Sequence, residues 1–245
     1  LQSDINKVMD WCNTWNMKLN INKCKHMHIS RNSSPASTYH INNVFLETVL
    51  SYKYLGVHIS SNLSWKTHIH YIINNADRML GYIRRNFSHS SSSIKLLLYK
   101  TLVCSKSEYS ASVWSPGIES LISDLEPVQN CACHFILSNY HRTSSVTAMK
   151  LSLSLPPLSH RRSVASLCLF HKIYYNSYLK QKLLTRPSYI SARIDHRNKV
   201  AVPSCHTKCF HDSFIPRTCV SWNDLPHDIA YITDKNMFVK TINLL

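Results

Sequence analysis

Acidic residues are the scarcest functional resource in this chain. Thirteen Asp and Glu face twenty-eight Lys and Arg across 245 residues, a formal charge of +15, and fifteen histidines add to it below about pH 6.5. The acids that could matter for chemistry stand isolated, at Asp4, Asp10, Glu47, Asp77 and Glu108, and no two aspartates are adjacent. Two-metal nucleotidyl transfer requires paired carboxylates to fix both ions, so that chemistry is not expected of these residues. Long apolar runs are also missing. None approaches the roughly 20 residues that span a bilayer. Leu1-Gln2-Ser3-Asp4 is polar and opens a helix, so a signal peptide is not expected either, and the lack of an initial methionine reads as a fragment. There is no internal repeat. Nine cysteines, an odd number without a secretory signal, read as reduced thiols, most of them on apolar stripes.

What is present suits a polyanionic partner, either nucleic acid or an anionic membrane surface. Apolar content of 44% is enough for a globular core. Residues 3 to 18 read as a helix, with Ile5, Val8, Met9, Cys12 and Trp15 on one face and Ser3 as cap. Lys23 to Ser30 alternate like a half-buried strand, and Pro35 with its serines marks a surface loop. Tyr39 to Phe45 and Thr48 to Tyr54 are further strands, ending at Gly56, one of only three glycines.

From Trp65 the period becomes helical, with Ile69, Ile72, Ile73, Ala76, Leu80 and Ile83 inward. A serine-rich loop at 88–93 caps the next helix, Ile94 to Tyr109, with Leu97, Leu98, Thr101, Leu102 and Ser105 expected inward. Trp114-Ser115-Pro116-Gly117 ends it. Ile118 to Ser138 is helical, with Pro127 either kinking it or starting a second helix. Val146 to Leu151, Ser159 to Asn176 and a closing stretch from about Lys235 read as helices, and Ser191 to Val202 as extended and basic (Arg193, His196, Arg197, Lys199).

Three stretches carry a resemblance. Leu19-Asn20-Ile21-Asn22-Lys23-Cys24 precedes Tyr52-Lys53-Tyr54-Leu55-Gly56, and the chain ends with Pro216-Arg217-Thr218 followed by Trp222-Asn223-Asp224-Leu225-Pro226. Together they resemble the reverse transcriptases of non-LTR, LINE-type retrotransposons, of the Jockey- and CR1-like kind, from the last part of the palm to the C-terminus. Leu125-Glu126-Pro127-Val128-Gln129-Asn130 and Arg161-Arg162 add to the likeness, whereas Cys131 and Cys133 depart from it.

The resemblance implies an α+β fold, mainly α: a remnant of polymerase palm with a primer-grip hairpin over residues 1–62, a helical thumb over 63–115, and a mostly helical C-terminal domain over 116–245 with a sub-boundary near 186. It also implies site residues. Lys23 would lie near the incoming triphosphate, Tyr54, Leu55 and Gly56 would form the primer grip, and Arg78, Arg84, Arg85, Lys95 and Lys100 would contact template–primer phosphates. The aspartate pair would lie upstream of Leu1. The chain alone is then expected to bind nucleic acid without polymerising and to hold no cofactor, while the full-length parent uses Mg2+. Implied partners are an RNA template, a DNA primer and the missing N-terminal fingers and palm of the same polyprotein, with no membrane. The implied location is intracellular, in a cytoplasmic ribonucleoprotein and the nucleus.

Two other readings use the same residues: a non-catalytic nucleic-acid-binding or interaction protein, and a transposon relic without function. Cys205, Cys209, His211 and Cys219 are the one set with zinc-ligand chemistry, but their spacing lacks the paired short intervals of structural zinc sites, and no metal is expected.

Overall fold

Helix dominates and the strands are short in the computed structural model, which describes residues 1–30, 37–191, 193 and 195–244; the fold is α+β, mainly α. The loop expected around Pro35 lies outside the described residues. Leu1–His68 and Ile69–Leu245 form two compact units.

In the first unit, α1 (Gln2–Thr14) is shorter than its apolar pattern suggested, because Asn16 turns left-handed (φ 53°) and breaks the helical path. Cys12 is its one buried residue, while Val8, Trp11 and Trp15 are more than half exposed. The strand expected over Lys23 to Ser30 shrinks to β1 (Lys25–His26), and Ile29 is exposed. The stretch Tyr39 to Phe45 is not one strand but a hairpin: β2 (His40–Ile41) and β3 (Val44–Phe45) are joined by Asn42 and Asn43, both left-handed. Asparagine tolerates that conformation, so the Asn-Asn pair makes a tight turn where alternation alone read an extended segment. β4 (Glu47–Thr48) runs parallel to β1. Next come β5 (Ser51–Tyr54) and β6 (Val57–Ser60), paired antiparallel with Tyr54 opposite Val57.

The second unit begins within α2 (Lys66–Asn86). Its apolar stripe is where the period placed it: Ile69, Ile72, Ala76, Leu80 and Ile83 are all buried. Ser91 caps α3 (Ser92–Leu98) by accepting from the Ile94 amide. A π-helical stretch (Tyr99–Cys104) and α4 (Ser105–Ser107) continue it. The expected inward set on this helix holds only for Leu98 and Leu102, which are partly buried against the core. Leu97, Thr101 and Ser105 are exposed, and Lys95, Tyr99, Val103 and Ser107 are buried instead. A π stretch adds a residue per turn and rotates the buried face. Tyr99 Oη anchors it by donating to Gln129 Oε1 at 3.3 Å.

After α5 (Ala111–Trp114) and α6 (Glu119–Ser123), Pro127 sits in the first turn of α7 (Glu126–Leu137), so it starts a helix and kinks none. α8 (Val146–Ser152) follows. One core joins α2, α3, the π stretch, α7 and α8, from Ala76 to Leu155. It runs continuously across position 115, where the sequence placed a boundary.

A second core gathers around α9 (Leu158–Tyr174), which packs against α5, α10 (Ser177–Leu183), α12 (Phe214–Asn223) and α14 (Lys235–Ile242). α11 (Lys208–His211) and α13 (His227–Ala230) flank α12. Trp222 is completely buried at its centre, with ring centroids of Tyr174 at 5.0 Å, Phe170 at 5.3 Å and Phe238 at 6.0 Å. Burying such a ring stabilises by roughly 1.5–3 kcal/mol or more. Its Nε1 donates to Asn198 O, and Asn223 exchanges two hydrogen bonds with the Val200 backbone, at 2.8 and 2.9 Å. The Trp-Asn-Asp-Leu-Pro segment is therefore a clasp that ties the basic stretch before Val202 to the helical core.

Candidate nucleic-acid interface

The hairpin β5–β6 turns on Leu55 (φ 45°) and Gly56 (φ 88°), a two-residue loop with both positions left-handed, whose twist matches the strands it joins. Glycine adopts this freely; leucine pays roughly 1–2 kcal/mol for it. Leu55 is 73% exposed and Tyr54 59%, so the strained tip presents apolar surface to solvent. The Tyr52 hydroxyl donates to Lys23 O at 3.0 Å, which brings the turn that carries Lys23 against the hairpin. Lys25 pairs with Glu47 across β1 and β4. Below the hairpin His68 Nδ1 accepts the His58 amide at 3.2 Å, and burial above all pushes the His68 ring down to about pKa 4.

In the second unit Arg78, Arg84, Arg85 and Lys100 are exposed, as phosphate contacts must be. Among the described residues, the three arginines make no ion pair with an acid. At 100° per residue, Arg78, Tyr82 and Arg85 fall within one narrow stripe of α2, and Arg84 lies about 100° round from Arg85. Tyr82, half exposed, completes a cation–aromatic–cation row that charge counting missed; its signal was the spacing of four and three from its arginine neighbours.

Lys95 does not belong to this face. It is 3% exposed, donates to Ser138 Oγ at 2.9 Å and lies 4.9 Å over the Phe135 ring. It is a core lysine whose ammonium is held by a hydroxyl and an aromatic face, and no phosphate can reach it without unpacking α7. The cause is the rotated face of its helix.

Sequence reasoning also missed a cavity of about 790 Å3 in the C-terminal part, where Lys180, Arg186, Arg197 and Lys199 converge beside Tyr174. Lys180 Nζ stands 3.6 Å over the Tyr174 ring, and burial with repulsion from Arg186 lowers its pKa. Among the described residues, only Lys199 of these four is paired with an acid, Asp195 at 2.6 Å. The basic run from 193 to 199 was legible, but not that α10 and the segment after it bring Lys180 and Arg186 beside it.

The four zinc-type residues do not converge. Cys219 is packed in the Trp222 core, while Cys209 and His211 are exposed on α11 and Cys205 Sγ bonds Pro203 O. Among the described residues no three His, Cys, Asp or Glu side chains are grouped to hold a metal ion, and no helix is long and apolar enough to cross a membrane. No protein-family model, curated protein or solved structure matches the chain.

Proposed function

We propose that the chain is the C-terminal part of a LINE-type reverse transcriptase, in which β5–β6 is the primer grip, α2 and α3 belong to the thumb, and the missing fingers and palm of the same polyprotein carry the catalytic aspartates. Its role is to hold an RNA template and DNA primer, with the Mg2+ chemistry belonging to the parent enzyme. The observation that carries this reading is the division of α2. Its apolar face is buried at Ile69, Ile72, Ala76, Leu80 and Ile83, and the opposite face offers Arg78, Tyr82 and Arg85 to a phosphate backbone. The exposed apolar face of α1 supports it too, since Val8, Trp11 and Trp15 suit a unit that packs against more palm.

The test is binding of a labelled RNA–DNA hybrid across a salt series, together with a primer-extension assay in Mg2+ and nucleoside triphosphates. Expected are a steep loss of affinity with salt and no extension. A flat salt response overturns the reading and leaves the relic.

A second reading, a non-catalytic binding module, is favoured by the basic cavity beside Tyr174. If Lys180→Ala with Arg197→Ala weakens single-strand binding more than Arg78→Ala with Arg85→Ala does, the C-terminal part carries the affinity.

A further inference from the structure

Between α9 and α12 lies a cleft of about 240 Å3, bordered by the turn Ser115-Pro116-Gly117. A helix face turned toward a neighbour is ordinarily apolar. α9 instead sets Ser159, Arg162, Ser163 and Ser166 into this cleft, at spacings of three, four and seven, and α12 faces them with Arg217, Thr218 and Ser221. Among the described residues no acid lines it.

Two side chains of the cleft each carry one buried polar atom without a hydrogen-bond partner among the described residues, while the Arg162 guanidinium also lies 6.0 Å from the centre of the Trp114 ring. Arg162 is 3% exposed, and its Nε has no hydrogen-bond partner among the described residues; Thr218 is 2% exposed, and its hydroxyl has none either. Burying a cation and a hydroxyl in this state is costly, and a ligand that accepts from both removes the cost. Arg217 is held by main-chain carbonyls, those of Ser115 and Ser112 and, at 3.1 Å, that of Asp212, which position its guanidinium without cancelling its charge. Of the nearby acids, Asp212 sets its carboxylate against Gly117 at the edge of the cleft, where it favours the charge of Arg217 and pairs with His211 Nδ1 at 2.9 Å; the other two are engaged elsewhere. Glu108 accepts from Arg161 at 2.8 Å; Glu126 takes Lys150 at 2.8 Å and the amide of Leu158 at 2.9 Å. Both favour the charge of Arg162 at a distance, and Arg217 disfavours it, but neither acid hydrogen-bonds it among the described residues.

We propose that this cleft binds a phosphate dianion, which accepts from Arg162 Nε and Thr218 Oγ1 and is balanced by Arg217, with the serine hydroxyls completing its shell. Two arginines and a ring of hydroxyls match the charge and the acceptor-rich geometry of a phosphate or phosphate monoester. The volume is smaller than that of a typical drug-sized site and suits such a group. Free phosphate and a phosphorylated nucleic-acid end share this chemistry. The site is separate from the α2 stripe, so Arg78→Ala with Arg85→Ala is expected to leave it intact.

The experiment is calorimetric titration of the 245-residue chain with inorganic phosphate at constant ionic strength, repeated for Arg162→Met and Thr218→Val. Saturable binding is expected in the unsubstituted chain, with none in Arg162→Met. Thr218→Val keeps the side-chain shape and fills no new space, so it decides the matter even if the arginine variant fails to fold; its affinity is expected to fall about tenfold or more. No binding by the unsubstituted chain, or unchanged affinity in Thr218→Val, overturns the proposal. A parallel titration with a 5′-phosphorylated oligonucleotide and its 5′-hydroxyl twin separates the sources. Tighter binding of the phosphorylated strand, lost in Thr218→Val, assigns a nucleic-acid end, and binding of inorganic phosphate alone assigns the free ion.

Discussion

Replacing Arg78 and Arg85 together by alanine probes the α2 stripe most directly. Both side chains are exposed and, among the described residues, unpaired with acids, so their loss removes charge without opening a cavity, and the effect on stability is expected to stay within about 0.5 kcal/mol. The effect on binding is read from the salt dependence. Each phosphate neutralised by a cation contributes about 0.9 to the slope of log K against log salt. Two contacts therefore carry a slope of about 1.8, and between about 50 and about 200 mM salt they account for roughly a tenfold loss of affinity. The double variant is expected to bind an RNA–DNA hybrid more weakly at low salt, with a slope shallower by about 1.8, and to converge on the unsubstituted chain as salt rises. Fluorescence anisotropy over six salt concentrations measures this. Lys95→Met is the internal control: the lysine is buried against Phe135 and Ser138, so the slope is expected to be unchanged. An equal slope in the arginine double variant, or a shallower one in Lys95→Met, would refute the assignment of the stripe.

Three further outcomes follow from the geometry. Leu55→Gly relieves a left-handed leucine of roughly 1–2 kcal/mol and loses part of that to unfolded-chain entropy, so chemical denaturation should show a gain of up to about 1 kcal/mol; a clear loss would mean that the exposed leucine is held by packing. Glu126→Ala strips the Lys150 ammonium and the first amides of α9 of their acceptor and should cost about 2–3 kcal/mol, as read from a urea midpoint; a change under about 0.5 kcal/mol would deny that cap any weight. His68 titrates near pH 4 when folded and near 6.5 when unfolded, so below pH 6.5 the unfolded chain binds the extra proton. Its contribution is thus complete above pH 6.5 and lost as pH falls toward 4. His68→Asn, which keeps an acceptor for the His58 amide, should flatten the stability profile in that window, and an identical profile would exclude His68 as its source.

Legibility tracked the range of the forces involved. The α2 stripe, a cap from the serines at 88–93 and the break at Gly56 were readable because periodicity, capping and turn chemistry act over a few residues. The rotated face of α3 and the π stretch was not. The shift from Leu97, Thr101 and Ser105 to Lys95, Tyr99 and Val103 depends on Gln129 and Ser138, some thirty and forty-three residues away. The same holds for the clasp of Trp222 and Asn223 on residues 198–200, whose sequence drew notice as a motif and whose packing supplies the reason.

Composition and local pattern alone determined a mainly helical chain with a strong positive charge, isolated carboxylates and a strand interrupted at Gly56, because each is a property of neighbours in sequence or of a simple sum. Tertiary structure decided which cations are free to meet a partner. It drew Lys95 into a core, left Arg78 and Arg85 outside on either side of Tyr82, gathered Lys180, Arg186 and Arg197 around one cavity, and enclosed Arg162 with Thr218 in a cleft. A side chain's charge is written in the sequence, but its solvation depends on what the rest of the chain packs against it.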